Sequence, residues 1–148
     1  GKTMALAESC TGGHLAHMIT RIAGSSDYFK GGIVAYDNDI KKNFLGVAAA
    51  TLEREGAVSE ATVREMAEGV RRAFDADYGV ATSGIAGPGG GTPEKPVGTI
   101  WIAVADEAGC QAKRYNIPKD RINNIKYSSV AALVLLWQRI SQKNGTDQ

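Results

Sequence analysis

A short apolar run, Met4 to Ala7, stops at the cluster Glu8-Ser9-Cys10-Thr11-Gly12-Gly13, and a helical pattern begins directly afterwards. This order predicts the strand-to-helix turn of an α/β protein, where side chains and free backbone N–H groups are exposed together. Ser and Thr are also common helix caps, and Gly-Gly is a common turn device. The loop alone therefore leaves open whether it binds a ligand, and it matches neither G-x-x-x-x-G-K-[ST] nor G-x-G-x-x-G.

Hydrophobic periodicity predicts five strands and four helices in the whole chain. Four further strands are predicted over 32–36, 78–82, 97–105 and 110–117, and helices over 12–23, from a cap at Asn38, from a cap at Ser59, and from Lys119 onward. Helices separate the first three strands, so these should be parallel, whereas the fourth has short connections and should be antiparallel. The predicted fold is a three-layer α/β/α domain over 1–142 with a mixed, mainly parallel five-stranded sheet and a polar tail over 143–148.

The loops after strands one to three should emerge at one edge of this sheet. Ser9, Tyr36 and Ser83 follow these strands, and open α/β sheets bind ligands in the crevice at that edge. Seven glycines lie between Gly79 and Gly98, and such a loop lets backbone N–H groups approach a ligand closely. Residues 83–88 favour ligand binding, while the rest of the glycine-rich loop could be a simple connection.

Composition narrows the class of partner. The 148 residues are 43% apolar and 22% charged with a net charge of +1, which fits one globular domain and a small-molecule substrate rather than nucleic acid. Cys10 and Cys110 are too few for a disulfide scaffold and favour a cytoplasmic location. No segment approaches the roughly 20 apolar residues of a membrane span, and the pair His14 and His17 has no third ligand, so no metal is expected.

Two further expectations concern the ends of the chain. The last helix is predicted to bury one face, which is marked by Ile122, Ile125, Ser129, Ala132, Leu133, Leu136 and Ile140. It has a second apolar face formed by Val130, Val134, Leu135 and Trp137, which predicts a homodimer or a higher homo-oligomer. The start at Gly1, just before a strand, suggests that a leading segment has been trimmed.

Several ordered motifs resemble the CinA C-terminal domain family, from about Ala5 to Trp137. The motifs are 8–13 (ESCTGG), 24–26 (GSS), 34–41 (VAYxNxxK), 45–47 (LGV), 56–59 (GAVS), 83–88 (SGIAGP) and 95–99 (KPVGT). The family includes bacterial nicotinamide mononucleotide deamidases. The resemblance thus implies hydrolysis of the carboxamide of nicotinamide mononucleotide to nicotinate mononucleotide and ammonia, in pyridine nucleotide recycling and without a cofactor.

The resemblance also suggests roles for individual residues. Amide hydrolysis needs a nucleophile, a base and oxyanion donors, for which we expect Ser9, Lys41 and the N–H groups of residues 10–12, with Ser26 or Tyr36 relaying the proton. The expected substrate-binding residues are Cys10, Thr11, Gly12, Asn38, Ser83, Gly84 and Arg121. The family has a second Arg after Arg121, but this chain has Lys126, which cannot make the same bidentate contact.

Three alternatives remain open from sequence. Cys10 is a rival nucleophile, although no histidine base accompanies it. The domain could be a nucleotide-binding or regulatory module without catalytic activity. It could also hydrolyse the amide of a different pyridine compound.

Overall fold

The computed structural model describes residues 1–146 and contains one five-stranded sheet. The strands are β1 (Met4–Glu8), β2 (Phe29–Val34), β3 (Tyr78–Gly84), β4 (Thr99–Asp106) and β5 (Gly109–Asn116), and the helices are α1 (His14–Thr20), α2 (Asn38–Leu45), α3 (Ala49–Glu55), α4 (Glu60–Ala73) and α5 (Arg121–Thr146). The strand order is β2-β1-β3-β4-β5. Strand β1 is parallel to β2 and β3, and β4 is antiparallel to β3 and β5, which confirms the predicted mixed sheet.

Helices cover both faces of the sheet, as the three-layer prediction requires. Helices α1 and α5 pack on one face, where Leu6, Leu15 and Leu135 are fully buried. Helices α2 and α4 pack on the other face, against Ala5 and Ala7 of β1. Because β1 is covered on both faces and paired on both edges, the loop that follows it lies in the middle of the carboxyl edge.

Strand β2 begins and ends earlier than predicted. It covers Phe29–Val34 rather than 32–36, and its ladder with β1 ends at the Glu8–Val34 pair. The Ala35 N–H then donates to the Glu8 carbonyl at 2.7 Å, so Tyr36 lies beyond the strand and is 61% exposed. The β-branched residues that suggested the strand end it rather than start it.

The start of α2 also differs from the prediction. Asp37, not Asn38, caps this helix, because the Asp37 carboxylate accepts a hydrogen bond from the Asp39 N–H at 2.7 Å. The end of α2 is fixed by close packing, since a Cβ on Gly69 of α4 would lie 1.8 Å from the Leu45 carbonyl oxygen. Only glycine allows this approach, which holds α2 against α4.

Helix α3 was not predicted from the sequence. Its N-cap, Ala48, makes no capping hydrogen bond through its side chain, so the usual start signal is missing. The helix is held instead by tertiary packing, with Thr51 buried. The predicted cap of α4 is confirmed, because the Ser59 hydroxyl accepts a hydrogen bond from the Thr62 N–H at 3.2 Å.

Helix α5 buries most of the predicted stripe, including Ser129, Ala132 and Leu136, but it differs from the prediction at two positions. Ile122 was assigned to the buried face but is 72% exposed, and Leu135 was assigned to the outer face but is fully buried. The outer face does expose Val130, Val134 and Trp137, and the homo-oligomer inferred from it stays a prediction.

Residues 143–146 of the predicted polar tail continue α5, and residues 147–148 lie outside the described part. No helix in residues 1–146 is long and apolar enough to cross a membrane.

At the end of the sheet opposite the carboxyl edge of β1, an ion pair joins α5 to the β4–β5 turn. The buried carboxylate of Asp106 accepts two hydrogen bonds from Arg139, at 2.7 and 3.0 Å. These bonds from Arg139 lower the pKa of Asp106 to about 2, although burial opposes the shift. Because the folded pKa lies below the unfolded one, this pair stabilises the fold above pH ~4 and less as the pH falls toward 2.

We therefore predict that Asp106→Asn changes the acid limb of stability. The free energy of unfolding of the wild type should exceed that of Asp106→Asn at pH 5 and above, and about 2 kcal/mol of the difference should disappear between pH ~4 and 2. Urea unfolding at several pH values measures it. A difference that stays constant down to pH 2 would show that the Asp106 carboxylate has no depressed pKa.

Candidate active site

A cavity of about 280 Å³ opens at the carboxyl edge of β1 and β3, near the small end of the range of about 300–1,000 Å³ typical of ligand pockets. Among its lining residues are eight of the predicted site residues: Ser9, Cys10, Tyr36, Asn38, Lys41, Ser83, Gly84 and Arg121. These come from the loops after β1 and β2, from the end of β3, from α2 and from the start of α5. The loops predicted to converge are thus brought together.

Three predicted site residues do not line this cavity. Ser26 is exposed on the short 3-10 turn Ser25–Asp27. Thr11 is buried beneath the loop. The Gly12 N–H donates to the Ser9 carbonyl at 3.0 Å. This N–H was one of the three predicted oxyanion donors, and it is already used within the turn.

Ser9 lies at the bend between β1 and α1. Its N–H donates to the Thr82 carbonyl at 3.0 Å, and its carbonyl accepts from Gly12, so the backbone is held on both sides. The residue is 9% exposed and its side chain faces the cavity lining. Within the described chain its hydroxyl has no hydrogen-bond partner, so it is available to a ligand.

Lys41 is the largest fully buried side chain in the described residues, at 1% exposure. Its Nζ donates to the Tyr36 carbonyl at 3.3 Å and forms no ion pair with any carboxylate of residues 1–146. Buried lysines are almost always paired, so this amine is unusual. Burial lowers the pKa of Lys41, although the nearby charge of Asp37 opposes the shift, and the lowered pKa favours the neutral amine.

The neighbouring Lys42 provides the contrast. It pairs with Asp39 at 2.7 Å on the outer side of α2, and this contact raises its pKa. Of these two lysines only Lys41 faces back toward the end of β2, because adjacent residues of a helix point in different directions.

A buried carboxylate supports the bend from below. Glu8 Oε1 accepts hydrogen bonds from the Thr11 hydroxyl at 2.7 Å and the Leu15 N–H at 2.8 Å, and Oε2 accepts from the Ala16 N–H at 3.0 Å. Glu8 therefore caps α1, whose own N-cap, Gly13, has no side chain to do so. With all three donors committed to it, Glu8 serves the geometry of the turn.

The same hydrogen-bond network leaves the Cys10 sulfur without a hydrogen bond from Thr82. Thr11 gives its only hydroxyl proton to Glu8, so in the 2.8 Å Thr11–Thr82 bond the proton comes from Thr82. Thr82 then has no proton left for the adjacent sulfur of Cys10. Burial raises the pKa of the Cys10 thiol to about 12, and a protonated thiol is a poor nucleophile.

The opposite wall of the cavity is fixed by residues of β3 and α5. The Ser83 hydroxyl donates to the Ala57 carbonyl at 2.7 Å, which holds the loop before α4. The fully buried Asn124 donates to the carbonyls of Ala86 and Lys119, both at 2.9 Å. Asn124 was missed from the sequence, where it follows Asn123 and nothing marks one of these two amides as buried.

Arg121 spans the mouth of the cavity. Its guanidinium donates to the Gly87 carbonyl at 2.7 Å and to the Tyr36 hydroxyl at 3.0 Å. It has no carboxylate partner in residues 1–146, so its charge is available to an anion that enters the cavity. Two of its donors already face the loops that such an anion would contact.

The described residues hold no group of three His, Cys, Asp or Glu side chains arranged to bind a metal ion. His14 and His17 lie on α1 and do not line the cavity. The groups that line it are a hydroxyl, a buried amine, a guanidinium and backbone amides. Such groups suit a polar ligand that carries an anionic part.

Comparison with known proteins identifies the family. The profile of the CinA C-terminal domain matches residues 1–140. A CinA-like protein of Cytophaga hutchinsonii is 52% identical over 141 residues, which are 95% of this chain and 34% of that protein. For a CinA-like protein of Thermotoga neapolitana the values are 47% over 142 residues, 96% and 35%. The chain thus spans about a third of the length of these curated relatives.

Solved structures show the same fold. The competence/damage inducible protein CihA from Agrobacterium tumefaciens superposes with a TM-score of 0.91 at 40% identity, covering 93% of this chain and 85% of that one. The competence damage-inducible protein A (ComA) from Klebsiella pneumoniae gives a TM-score of 0.92 at 35% identity, covering 95% and 88%. From the motifs, the fold and these matches together, the chain belongs to the CinA C-terminal domain family.

Proposed function

We propose that this domain is an amidohydrolase that converts nicotinamide mononucleotide to nicotinate mononucleotide and ammonia. The observation that carries the proposal is the unpaired, buried amine of Lys41 in the same cavity as the free hydroxyl of Ser9. Leaving an amine buried without a carboxylate costs stability. Such a cost is typical of a residue kept for chemistry.

In the first half of the proposed reaction, the neutral Lys41 amine accepts the Ser9 hydroxyl proton while Ser9 Oγ attacks the carboxamide carbon. Its N–H bond to the Tyr36 carbonyl orients the amine, which leaves the lone pair free. The carbon–nitrogen bond then breaks, and the Lys41 ammonium returns the proton to the leaving amide nitrogen. Ammonia departs, and an ester on Ser9 remains.

In the second half, Lys41 accepts a proton from water as the water oxygen attacks the ester carbon. The ester bond breaks, Ser9 Oγ takes the proton back from the Lys41 ammonium, and the carboxylic acid product loses its remaining proton to solvent and leaves as the carboxylate. Of the three expected oxyanion donors, the Cys10 N–H is the one that we assign to both halves, because Gly12 donates to Ser9 and Thr11 does not line the cavity. Tyr36 helps by holding Lys41 through its carbonyl, and no role in proton relay is proposed for the distant Ser26.

The proposed substrate contacts follow the cavity wall. The oxygen of Ser83 can still accept a hydrogen bond while its proton goes to Ala57, which suits the carboxamide NH₂. Gly84 and Asn38 also line the cavity. Arg121 and the adjoining glycine-rich loop are placed to bind the phosphate.

An assay of three compounds tests the function. The protein is incubated separately with nicotinamide mononucleotide, nicotinamide riboside and nicotinamide, and ammonia and the carboxylate product are quantified. We expect equal amounts of both products from the mononucleotide and little from free nicotinamide. Saturable binding without product would favour a regulatory module, and turnover only of another amide would replace the substrate; either result would contradict the proposal.

Arg121→Ala should separate phosphate recognition from chemistry. We expect the KM for the mononucleotide to rise about 10- to 100-fold, since a lost charge-assisted bond costs about 1.5–3 kcal/mol. The KM for the riboside, which lacks the phosphate, should change little. Lys126→Ala removes an exposed cation from the same helix outside the cavity and serves as the control. Equal losses for both substrates would rule out phosphate binding by Arg121.

A further inference from the structure

A second groove, of about 470 Å³, adjoins the active-site cavity and is lined by residues with no role in the proposed reaction. Its lining includes Trp101, Arg114, Lys95, Arg64 and Glu60, and it shares Val58 with the cavity. We propose that this Trp101 groove binds a nucleoside monophosphate, either free or as half of a dinucleotide. The indole would stack on the base, and the cations would hold the phosphate.

The sheet register places the aromatic ring and one cation together. Trp101 of β4 is directly opposite Arg114 of β5, so both side chains project from the same face of the sheet, on the side of α4. Trp101 is half-buried and packs on the core of that face. One side of its ring is thereby fixed, and the rest faces the groove, as a stacking platform requires.

Two cations of the groove lack a carboxylate partner. Lys95 donates to the Glu55 carbonyl at 2.7 Å, and Arg114 donates to the Glu94 carbonyl at 3.3 Å. Neither forms an ion pair within residues 1–146. Carbonyl oxygens position these groups without neutralising them, so both charges remain available to a phosphate.

The third cation has a structural role. Arg64 pairs with Glu60 at 2.9 Å and also donates to the Cys110 carbonyl. It closes the side of the groove toward α4 and adds no net charge. The anion-binding charge therefore comes from Lys95 and Arg114, on the side nearest the glycine-rich loop.

Tryptophan fluorescence gives a direct test, because the chain has two tryptophans. Trp137 is 66% exposed on α5 and lies outside the groove, so Trp137→Phe leaves Trp101 as the only indole. This variant is titrated with AMP, adenosine and inorganic phosphate. We expect saturable quenching by AMP, at least about tenfold weaker binding of adenosine, and competition by inorganic phosphate without quenching.

A charge-matched pair of variants shows whether binding is specific. In the Trp137→Phe background, Arg114→Ala should weaken AMP binding by about tenfold or more. Lys113→Ala removes the neighbouring cation, which lies over Tyr115 on the opposite face of β5, and should have less than about a twofold effect. Absence of saturable quenching by AMP at millimolar concentration, or equal weakening by both variants, would overturn the proposal.

A nicotinamide-containing dinucleotide distinguishes the two sources of the nucleotide. If the groove serves half of a dinucleotide whose nicotinamide enters the cavity, NAD binds more tightly than AMP, and Arg121→Ala weakens only NAD. If it serves a free nucleotide, NAD and AMP bind alike and Arg121→Ala changes neither. The first arm rests on the proposed function, whereas AMP binding at Trp101 does not, so failure of one is distinguishable from failure of the other.

Discussion

Ser9→Ala is expected to reduce ammonia release from nicotinamide mononucleotide by at least about a thousandfold. Removal of a nucleophile eliminates the covalent route and leaves only binding and oxyanion stabilisation. The effect should be on kcat, with little change in substrate affinity, because the hydroxyl makes no structural hydrogen bond in residues 1–146. Steady-state kinetics together with equilibrium binding of the substrate separates the two quantities.

Cys10→Ser is the matched control, because it changes the adjacent residue of the same turn. Its thiol is buried and has a pKa raised to about 12 by that burial, so it is almost entirely protonated at pH 7. We expect Cys10→Ser to keep kcat within about tenfold of the wild type. A larger loss in Cys10→Ser than in Ser9→Ala would make Cys10 the nucleophile.

Lys41→Arg should lower kcat by about 10²- to 10⁴-fold, the usual contribution of a general base. Arginine keeps the positive charge but does not deprotonate in proteins, so the variant isolates proton transfer from charge. Lys42→Arg, one position along α2, changes a side chain that pairs with Asp39 outside the cavity and should remain fully active. Wild-type turnover by Lys41→Arg would exclude Lys41 as the base.

The pH dependence of the wild type follows from the same amine. Only the deprotonated form of Lys41 accepts a proton, so kcat/KM should rise with pH to a plateau as Lys41 loses its proton. Because burial lowers the pKa of Lys41 below its ordinary value of 10.5, this rise should lie at a pH below that value. The limb should be absent from the residual activity of Lys41→Arg.

Stability provides an independent check on Lys41. Its folded pKa is lowered, so the unfolded chain binds the proton more tightly, and stability rises with pH up to about 10.5, the ordinary value. At neutral pH the buried amine is a cost to the fold. Lys41→Met should therefore keep or raise the melting temperature while activity is lost, an outcome that separates catalytic failure from unfolding.

Much of the site was predictable because it depends on the order of the elements. Strands that alternate with helices are parallel, and the residues that follow them meet at one edge whatever the side-chain details. That argument placed Ser9, Tyr36 and Ser83 around one crevice. It needed no knowledge of where each strand begins, so the shifted bounds of β2 did not affect it.

The parts that were not predictable depend on helix phase and on contacts distant in sequence. Whether Lys41 or Lys42 enters the core is decided by the rotation of α2, which the packing of Gly69 against Leu45 fixes. Glu8 reaches seven residues ahead to cap α1, and Asn124 donates to the carbonyl of Ala86, 38 residues earlier in the chain. Local propensity carries no signal for such long-range satisfaction of polar groups.

The most direct test of the central claim is the mass of the protein during turnover. The wild type is mixed with excess nicotinamide mononucleotide, quenched in acid within the first turnovers, and analysed intact and after digestion by mass spectrometry. The account predicts an adduct whose added mass equals that of the substrate minus ammonia. This adduct should be located on Ser9 and absent from Ser9→Ala. An adduct on Cys10, or turnover with Ser9 unmodified at every quench time, would contradict it.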